Sequence, residues 1–284
     1  MRAVCIIGLT AGGGEAADIA DAVHDLARAE GWQSACVIAE DPGQATELAR
    51  QAAEQADLVI AAGDDAAARG VASGLVGTRA ALGIIPVGSG SGLARALGLP
   101  LDARSAIAAL PRGRPRPFDV GTVNGRMFFR FAGFGLDAER RRQCILPHVW
   151  SAVLAWLSYE PETVKITIAD KAEEERVLIL AVANTEHYGA GVEIAPGARP
   201  DDGLLRAARL LAMPFWRWLA ILPRLAGGTV GRARCCRATD AAKITVEREK
   251  PGLILIDGEP VEAEATLHFR VMPGALRVWL PRPR

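Results

Sequence analysis

The chain has 284 residues, half of them hydrophobic, and 33 basic side chains balanced by 33 acidic ones. That length can bury a substantial core, in one large domain or two modest ones, and two is the preferred reading. The balanced charge argues against a general polyanion binder, so nucleic acid is not expected as a partner.

Five cysteines without a CxxC pair or a His/Cys cluster indicate neither a zinc site nor a disulfide framework, and their odd number fits a reducing cytoplasm. No uninterrupted 18-residue apolar run supports a membrane span; residues 204–227 come nearest but contain Arg206, Arg209, Arg217 and Arg224.

In chain order, residues 4–7 read as a first strand rather than a leader segment, followed by a glycine turn and a helix over 15–30. Residues 35–39 and 58–61 read as further strands, and 44–54 as a helix. Apolar Ile84, Ile85 and Val87 then deliver the chain into a loop containing Gly88, Gly90 and Gly92. This alternation predicts a parallel sheet covered by helices on both faces, with its ligand edge where the strands end.

The proline-rich, basic stretch 110–117 reads as a connector. Beyond it, strands are expected over 118–123, 126–132, 164–169, 177–183, 243–246, 253–256 and 265–271, with turns at Asn124-Gly125 and Asp257-Gly258. The expected organisation is an α/β, parallel-sheet nucleotide-binding domain over 1–115 and a mostly antiparallel, β-sandwich-like domain over 116–284. The last strand is allowed to return to the first domain. Residues 146–158 and 214–225 read as helices carrying Trp150, Trp156, Trp216 and Trp218, which suit core packing or a lipid-facing surface.

Five glycine-rich or polar segments punctuate the strands: Gly63-Asp64-Asp65-Ala66-Ala67, the loop 88–92, Gly133-Phe134-Gly135-Leu136-Asp137-Ala138, the stretch 184–203 with Asp201-Asp202-Gly203, and Asp257-Gly258-Glu259. Phosphoryl transfer needs parts of this kind: backbone amides and a divalent ion for the phosphates, and a carboxylate for the acceptor's proton. Asp137 also suits a turn cap and Asp257 a hairpin turn. Neither His148 nor His187 is paired with a serine or cysteine, so no triad is read.

In order and content these segments resemble the diacylglycerol kinase catalytic-domain family, which includes bacterial lipid kinases and the sphingosine and ceramide kinases. The resemblance spans nearly the whole chain and is strongest in IIPVGSGSGLARALGLP, GFGLDAE, YGAGVEIAPGARPDDGLL and DGEP. It implies an α/β domain joined to a β-rich domain, ATP bound between them with Mg²⁺, and phosphorylation of a lipid hydroxyl. Carried over by motif, Gly63, Asp64, Asp65, Gly88, Ser89, Gly90 and Ser91 would face the nucleotide, Asp257 would be the general base with Glu259 beside it, and Asp202 would belong to a Mg²⁺ site. The implied setting is cytoplasmic, with transient contact at the inner membrane surface; a homodimer is left open.

The family's GGDGT becomes GDDAA here, with Asp65 matching the motif aspartate when Gly74-Leu75 is aligned, and Asp64 matching after a one-residue shift. Its Asn-Pro on the first strand becomes Gly8-Leu9, its downstream acidic residue falls at Gly70, and its Asn-Asp becomes Ser91-Gly92. A carboxylate where backbone should meet phosphate adds repulsion unless it turns away or holds metal. The expected activity is therefore ATP-dependent lipid phosphorylation. The alternatives are a non-catalytic lipid- or nucleotide-binding relative and an enzyme acting on another phosphorylated small molecule.

Overall fold

The computed structural model describes residues 1–8, 13–88, 91–135, 160–188, 192–214, 224, 227, 229–233 and 235–281. It divides into two compact units: Met1–Phe118 with Gly274–Arg284, and Asp119–Pro273.

Unit 1 opens with β1 (Arg2–Gly8), α1 (Gly13–Ala29), β2 (Gln33–Ala39), α2 (Pro42–Ala52), β3 (Leu58–Gly63), α3 (Asp65–Leu75) and β4 (Ala81–Pro86). Two short helices, α4 (Gly92–Ala96) and α5 (Ala103–Ala109), precede β5 (Gly113–Val123). Strands β3 and β4 are buried along their whole length, as the continuous apolar runs of a doubly covered parallel sheet require. Strand β1 pairs in parallel with β2 and β3, and β3 with β4. Helices α2, α3 and α5 each start at an aspartate, Asp41, Asp64 and Asp102, whose side chain accepts a hydrogen bond from the amide three residues on. Each cap satisfies a donor that the first helical turn leaves open.

Helix α3 lies against α2 at two glycines. A Cβ on Gly70 would fall 2.5 Å from the Pro42 carbonyl oxygen, and one on Gly74 would collide with the Thr46 carbonyl oxygen. Gly70 is where the family pattern places an acid, and the passing α2 backbone leaves no room for one. Gly74→Ala should therefore cost about 1–3 kcal/mol of stability by overpacking a backbone contact. Urea unfolding would measure it, and an unchanged midpoint would contradict the close approach.

Unit 2 contains β6 (Arg126–Phe128), β7 (Phe131–Gly135), β8 (Glu162–Ile168), β9 (Lys171–Ala183), β10 (His187–Tyr188), β11 (Val192–Glu193), β12 (Leu205–Leu211), β13 (Cys236–Ala241), β14 (Lys243–Arg248), β15 (Gly252–Ile256), β16 (Glu259–Ala263) and the first part of β17 (Thr266–Pro281). The order β16-β15-β7-β9-β8-β14-β17 is antiparallel throughout, and β12 pairs with both β9 and β13. Residues Ala181 and Ala183 of β9 enter one apolar cluster while Leu180 and Val182 enter another. Both faces of β9 are thus buried, which explains its unbroken VLILAVA run. The second part of β17 rejoins unit 1, pairing in parallel with β4 at Arg277 and Val278.

The α/β fold with a second, mostly antiparallel unit matches the expectation. Several details correct it. The stretch 110–117 is not a connector throughout, because β5 starts at Gly113. The single strand expected over 126–132 is interrupted at Phe129 and Arg130, whose amides leave the ladder for a side chain. Gly133 and Gly135 lie inside β7, where a Cβ would strike the Leu180 and Leu178 carbonyl oxygens of β9. They serve strand packing rather than punctuation. The helix expected over 146–158 and nearly all of the one expected over 214–225, with their tryptophans, lie outside the described residues, as does Asp137. Among the described residues, no helix is long and apolar enough to cross a membrane.

Candidate functional site

In unit 1, the expected nucleotide residues gather at the ends of β3 and β4. Gly63 is paired with Pro86, and its carbonyl accepts a 2.9 Å bond from Val87 N–H. Gly63 has φ +153° and Gly88 has φ +80°, backbone states that suit glycine. A Cβ on Gly63 would approach Ala67 to 2.9 Å, whereas Gly88 faces open space. Ser91 is the buried residue before α4; Ser89 and Gly90 lie outside the described residues.

Both aspartates of the GDDAA segment have hydrogen-bond partners. Asp64 Oδ1 accepts from Ala67 N–H at 3.0 Å, capping α3. The Asp65 carboxylate crosses to the next loop, where Oδ2 accepts from Gly92 N–H and Oδ1 from Leu93 N–H, each at 3.0 Å. It binds the first amides of α4, a place where an anion is electrostatically favoured. Of the expected cradle, Gly88 has open space at its Cβ position, while the amides of Gly92 and Leu93 are already satisfied. Asp65→Ala should lower stability by about 1–3 kcal/mol through loss of charge-assisted hydrogen bonds. Thermal unfolding would measure the loss, and an unchanged midpoint would show that these two bonds carry no stability.

In unit 2, Asp257 forms the centre of a buried polar network. It sits with φ +50° before Gly258 at φ +93°, in the two-residue turn joining β15 to β16, a positive-φ pair of the hairpin type that Asp-Gly favours. The turn aims its carboxylate inward. Oδ2 accepts from Phe129 N–H at 2.8 Å, and Oδ1 from Arg130 N–H at 2.8 Å and Phe131 N–H at 3.1 Å. The Arg130 guanidinium donates to the Asp257 carbonyl at 2.7 Å. Both side chains are 6% exposed as residues.

Burial pushes the Asp257 carboxyl above its ordinary value, opposed by the charge of Arg130 and by the three amides. Desolvation outweighs these compensations. Oδ2 accepts one amide bond, which leaves it acceptor capacity for a further donor.

The network continues through Asn184, whose side-chain amide donates to the carbonyls of Phe129 at 2.9 Å and Asp119 at 2.7 Å. Its backbone N–H donates to Arg130 O. Buried Asp119 in turn holds the PDDG turn: its Oδ2 accepts from Gly203 N–H at 2.6 Å, and its own N–H donates to Pro200 O. Asp257 and the Asp202 segment are therefore parts of one hydrogen-bonded assembly. Asp202 is exposed and its Oδ1 accepts from Leu204 N–H at 3.0 Å. Glu259 opens β16 and is exposed.

Among the described residues no group of three or more His, Cys, Asp or Glu side chains is arranged around a metal. Asp202 offers one exposed carboxylate, a ligand type that Mg²⁺ accepts alongside water. Arg130, Asn184 and Asp119 were not among the expected site residues. A buried arginine immediately ahead of β7 and the aspartate of FDVG carry no local signal of their distant partners.

Two family descriptions together cover most of the chain. Residues 2–123 match the diacylglycerol kinase catalytic domain, and residues 135–280 match the YegS C-terminal NAD kinase beta sandwich-like domain. A relative from Pseudomonas aeruginosa described as "Probable lipid kinase YegS-like" is 32% identical over 266 residues, covering 89% of this chain and 87% of its own length. The diacylglycerol kinase of Bacillus subtilis is 32% identical over 189 residues, covering 61% of this chain and 62% of its own. A diacylglycerol kinase structure from Bacillus anthracis superposes with a TM-score of 0.79 over 99% of this chain and 97% of that one; at 20% identity it supports the fold. By the matched domains, their order and the identity to its relatives, the chain belongs to the YegS-like bacterial lipid kinase family of the diacylglycerol kinase type.

Proposed function

We propose that the chain is an ATP- and Mg²⁺-dependent lipid kinase that phosphorylates a lipid hydroxyl, with diacylglycerol and sphingoid or ceramide-like lipids as the acceptor class. The observation that carries the reading is the buried Asp257 carboxylate, raised in basicity by desolvation and held by three backbone amides. Asp257 Oδ2 accepts the proton of the acceptor hydroxyl as that oxygen becomes nucleophilic, the work of a general base. The amides of 129–131 fix the carboxylate's direction and the Arg130 guanidinium holds the carbonyl of the same residue, so little reorganisation is needed when the proton moves.

ATP supplies the phosphoryl group when bound, and Mg²⁺ neutralises the phosphate charge. Gly88, with Ser89 and Gly90, would face the phosphates, and Asp202 would contribute a metal ligand. Glu259, next to the turn, adds negative charge near the acceptor. Transient contact with a membrane surface would deliver the acceptor to the cytoplasmic enzyme.

A second reading is favoured by one specific observation. Asp65 already occupies the Gly92 and Leu93 amides, which suits a lipid-binding relative that no longer turns over nucleotide. Incubation with ATP, Mg²⁺ and a micellar panel of diacylglycerol, sphingosine and ceramide separates the two. The kinase reading expects a phosphorylated lipid in the organic phase, detected by mass. Lipid binding without any phosphorylated product would establish the second reading instead.

A further inference from the structure

Two of the cysteines form a pair that the proposed phosphoryl transfer does not use. Cys5 on β1 and Cys36 on β2 are register partners on adjacent parallel strands. Neighbouring strands lie about 4.8 Å apart, inside the window of about 4.4–6.8 Å between Cα atoms that a disulfide requires. Both belong to the apolar cluster packed beneath α1, where Cys36 Sγ also lies 4.0 Å from Ala20 O.

The two thiols are unequal in a useful way. Cys5 is fully buried, whereas Cys36 lies on β2, the last strand of the sheet order, and is partly exposed. The neighbouring Cys5 thiol pulls the Cys36 pKa below its ordinary value, and burial and the charge of Asp21 act against it. Its closeness to Cys36, together with burial, raises Cys5 well above the ordinary thiol value. By contrast, burial raises Cys235 and pushes Cys236 up to about 11.

We propose that Cys5 and Cys36 are a thiol pair oxidised to an intramolecular disulfide by hydroperoxides, with Cys36 oxidised first and Cys5 resolving. The Cys36 thiolate attacks one peroxide oxygen, the O–O bond breaks, and water or an alcohol leaves once protonated, giving Cys36 sulfenic acid. The Cys5 sulfur then attacks the Cys36 sulfur. The S–O bond breaks, the departing hydroxide takes the Cys5 proton, and water is released. Two thiols lose two electrons in all, and the peroxide gains them. Once closed, the bond is open to reduction by a dithiol through thiol–disulfide exchange. It is therefore a reversible modification and not a structural staple.

The test uses the purified full chain, treated with hydrogen peroxide, alkylated and digested with trypsin. Cleavage after Arg2, Arg28 and Arg50 places Cys5 and Cys36 in peptides 3–28 and 29–50. The expected product is those two peptides joined, about 2 Da lighter than their sum, and separated again by dithiothreitol. Cys5→Ser should leave Cys36 as a sulfenic acid captured by dimedone, and Cys36→Ser should leave Cys5 alkylated. Recovery of both wild-type peptides alkylated, or of Cys36 as sulfinic acid without the joined species, would overturn the proposal. The joined peptide is read on the wild-type chain, so the decision does not depend on how either variant folds.

Discussion

Replacing Asp257 with Asn is expected to reduce lipid phosphorylation turnover by about 10²–10⁴-fold, the usual contribution of a positioned general base. The loss should appear in kcat, with KM for ATP nearly unchanged, because the proposed role is confined to the transition state. The carboxylate also accepts three backbone amides. Asn has one carbonyl oxygen to offer and must turn its NH₂ group toward at least one of those donors. A parallel loss of about 1–3 kcal/mol in stability is expected from the donor left unsatisfied. Assaying the variant well below its own Tm separates the two effects, and full turnover in a folded Asp257→Asn protein would remove Asp257 from the chemistry.

The same variant exposes a linkage. Asp257 has a folded pKa above its ordinary value of 3.8, so its contribution to stability is fully present below 3.8 and is lost as pH rises through the folded value. Asn does not ionise. The stability of wild type relative to Asp257→Asn should therefore fall as pH rises through that window, as denaturant titrations at several pH values would measure. A difference that stays constant with pH would show that Asp257 ionises alike in both states.

The second large effect is expected at Arg130. Its guanidinium is buried, bonds the Asp257 carbonyl, and supplies the charge that opposes desolvation of the carboxyl. Arg130→Met leaves Asp257 buried without that charge and should cost about 3 kcal/mol or more, as breaking one side of a buried charged arrangement does. It should also move the Asp257 pKa further upward, leaving less of the base ionised near neutrality. Arg130→Lys should restore part of the stability by returning the charge without the forked geometry. Denaturant unfolding measures the first effect and a pH–rate profile the second. An Arg130→Met protein with unchanged stability and profile would show that Arg130 is not what holds Asp257 in its state.

What could be read in advance depended on whether a residue's signal was local. The continuous apolar runs of β1, β3 and β4, and the Asn124-Gly125 and Asp257-Gly258 turns, carry their structure in neighbouring residues. The matching turn at Ala169-Asp170, with φ +48° and +65°, has no glycine to announce it. The charged start of β9, KAEEER, resembles a loop because that end of the strand is largely exposed. Strand β12 was hidden by Arg206 and Arg209, which look like surface charges. In the fold, Arg206 bonds Asp240, and buried Arg209 meets Glu175 and Thr239.

The site divides in the same way. Asp257 stands in a short recognisable motif, but Arg130 lies 127 residues from it and Asn184 lies 55 from Phe129. Such partners meet only through β7, β9 and β15. The extra aspartate of the Asp64-Asp65 pair was legible as a departure. Their roles at Ala67 and at Gly92-Leu93 follow from where α3 and α4 begin.

The measurement that bears most directly on a buried, desolvated base is the pH dependence of kcat/KM for lipid phosphorylation by the wild-type chain, which reports the ionisation of the free enzyme's essential groups. An acidic limb displaced above the ordinary aspartate value of 3.8, and displaced further upward in Arg130→Met, is expected. A limb at the ordinary value, or one that does not move when Arg130 is replaced, would contradict that expectation.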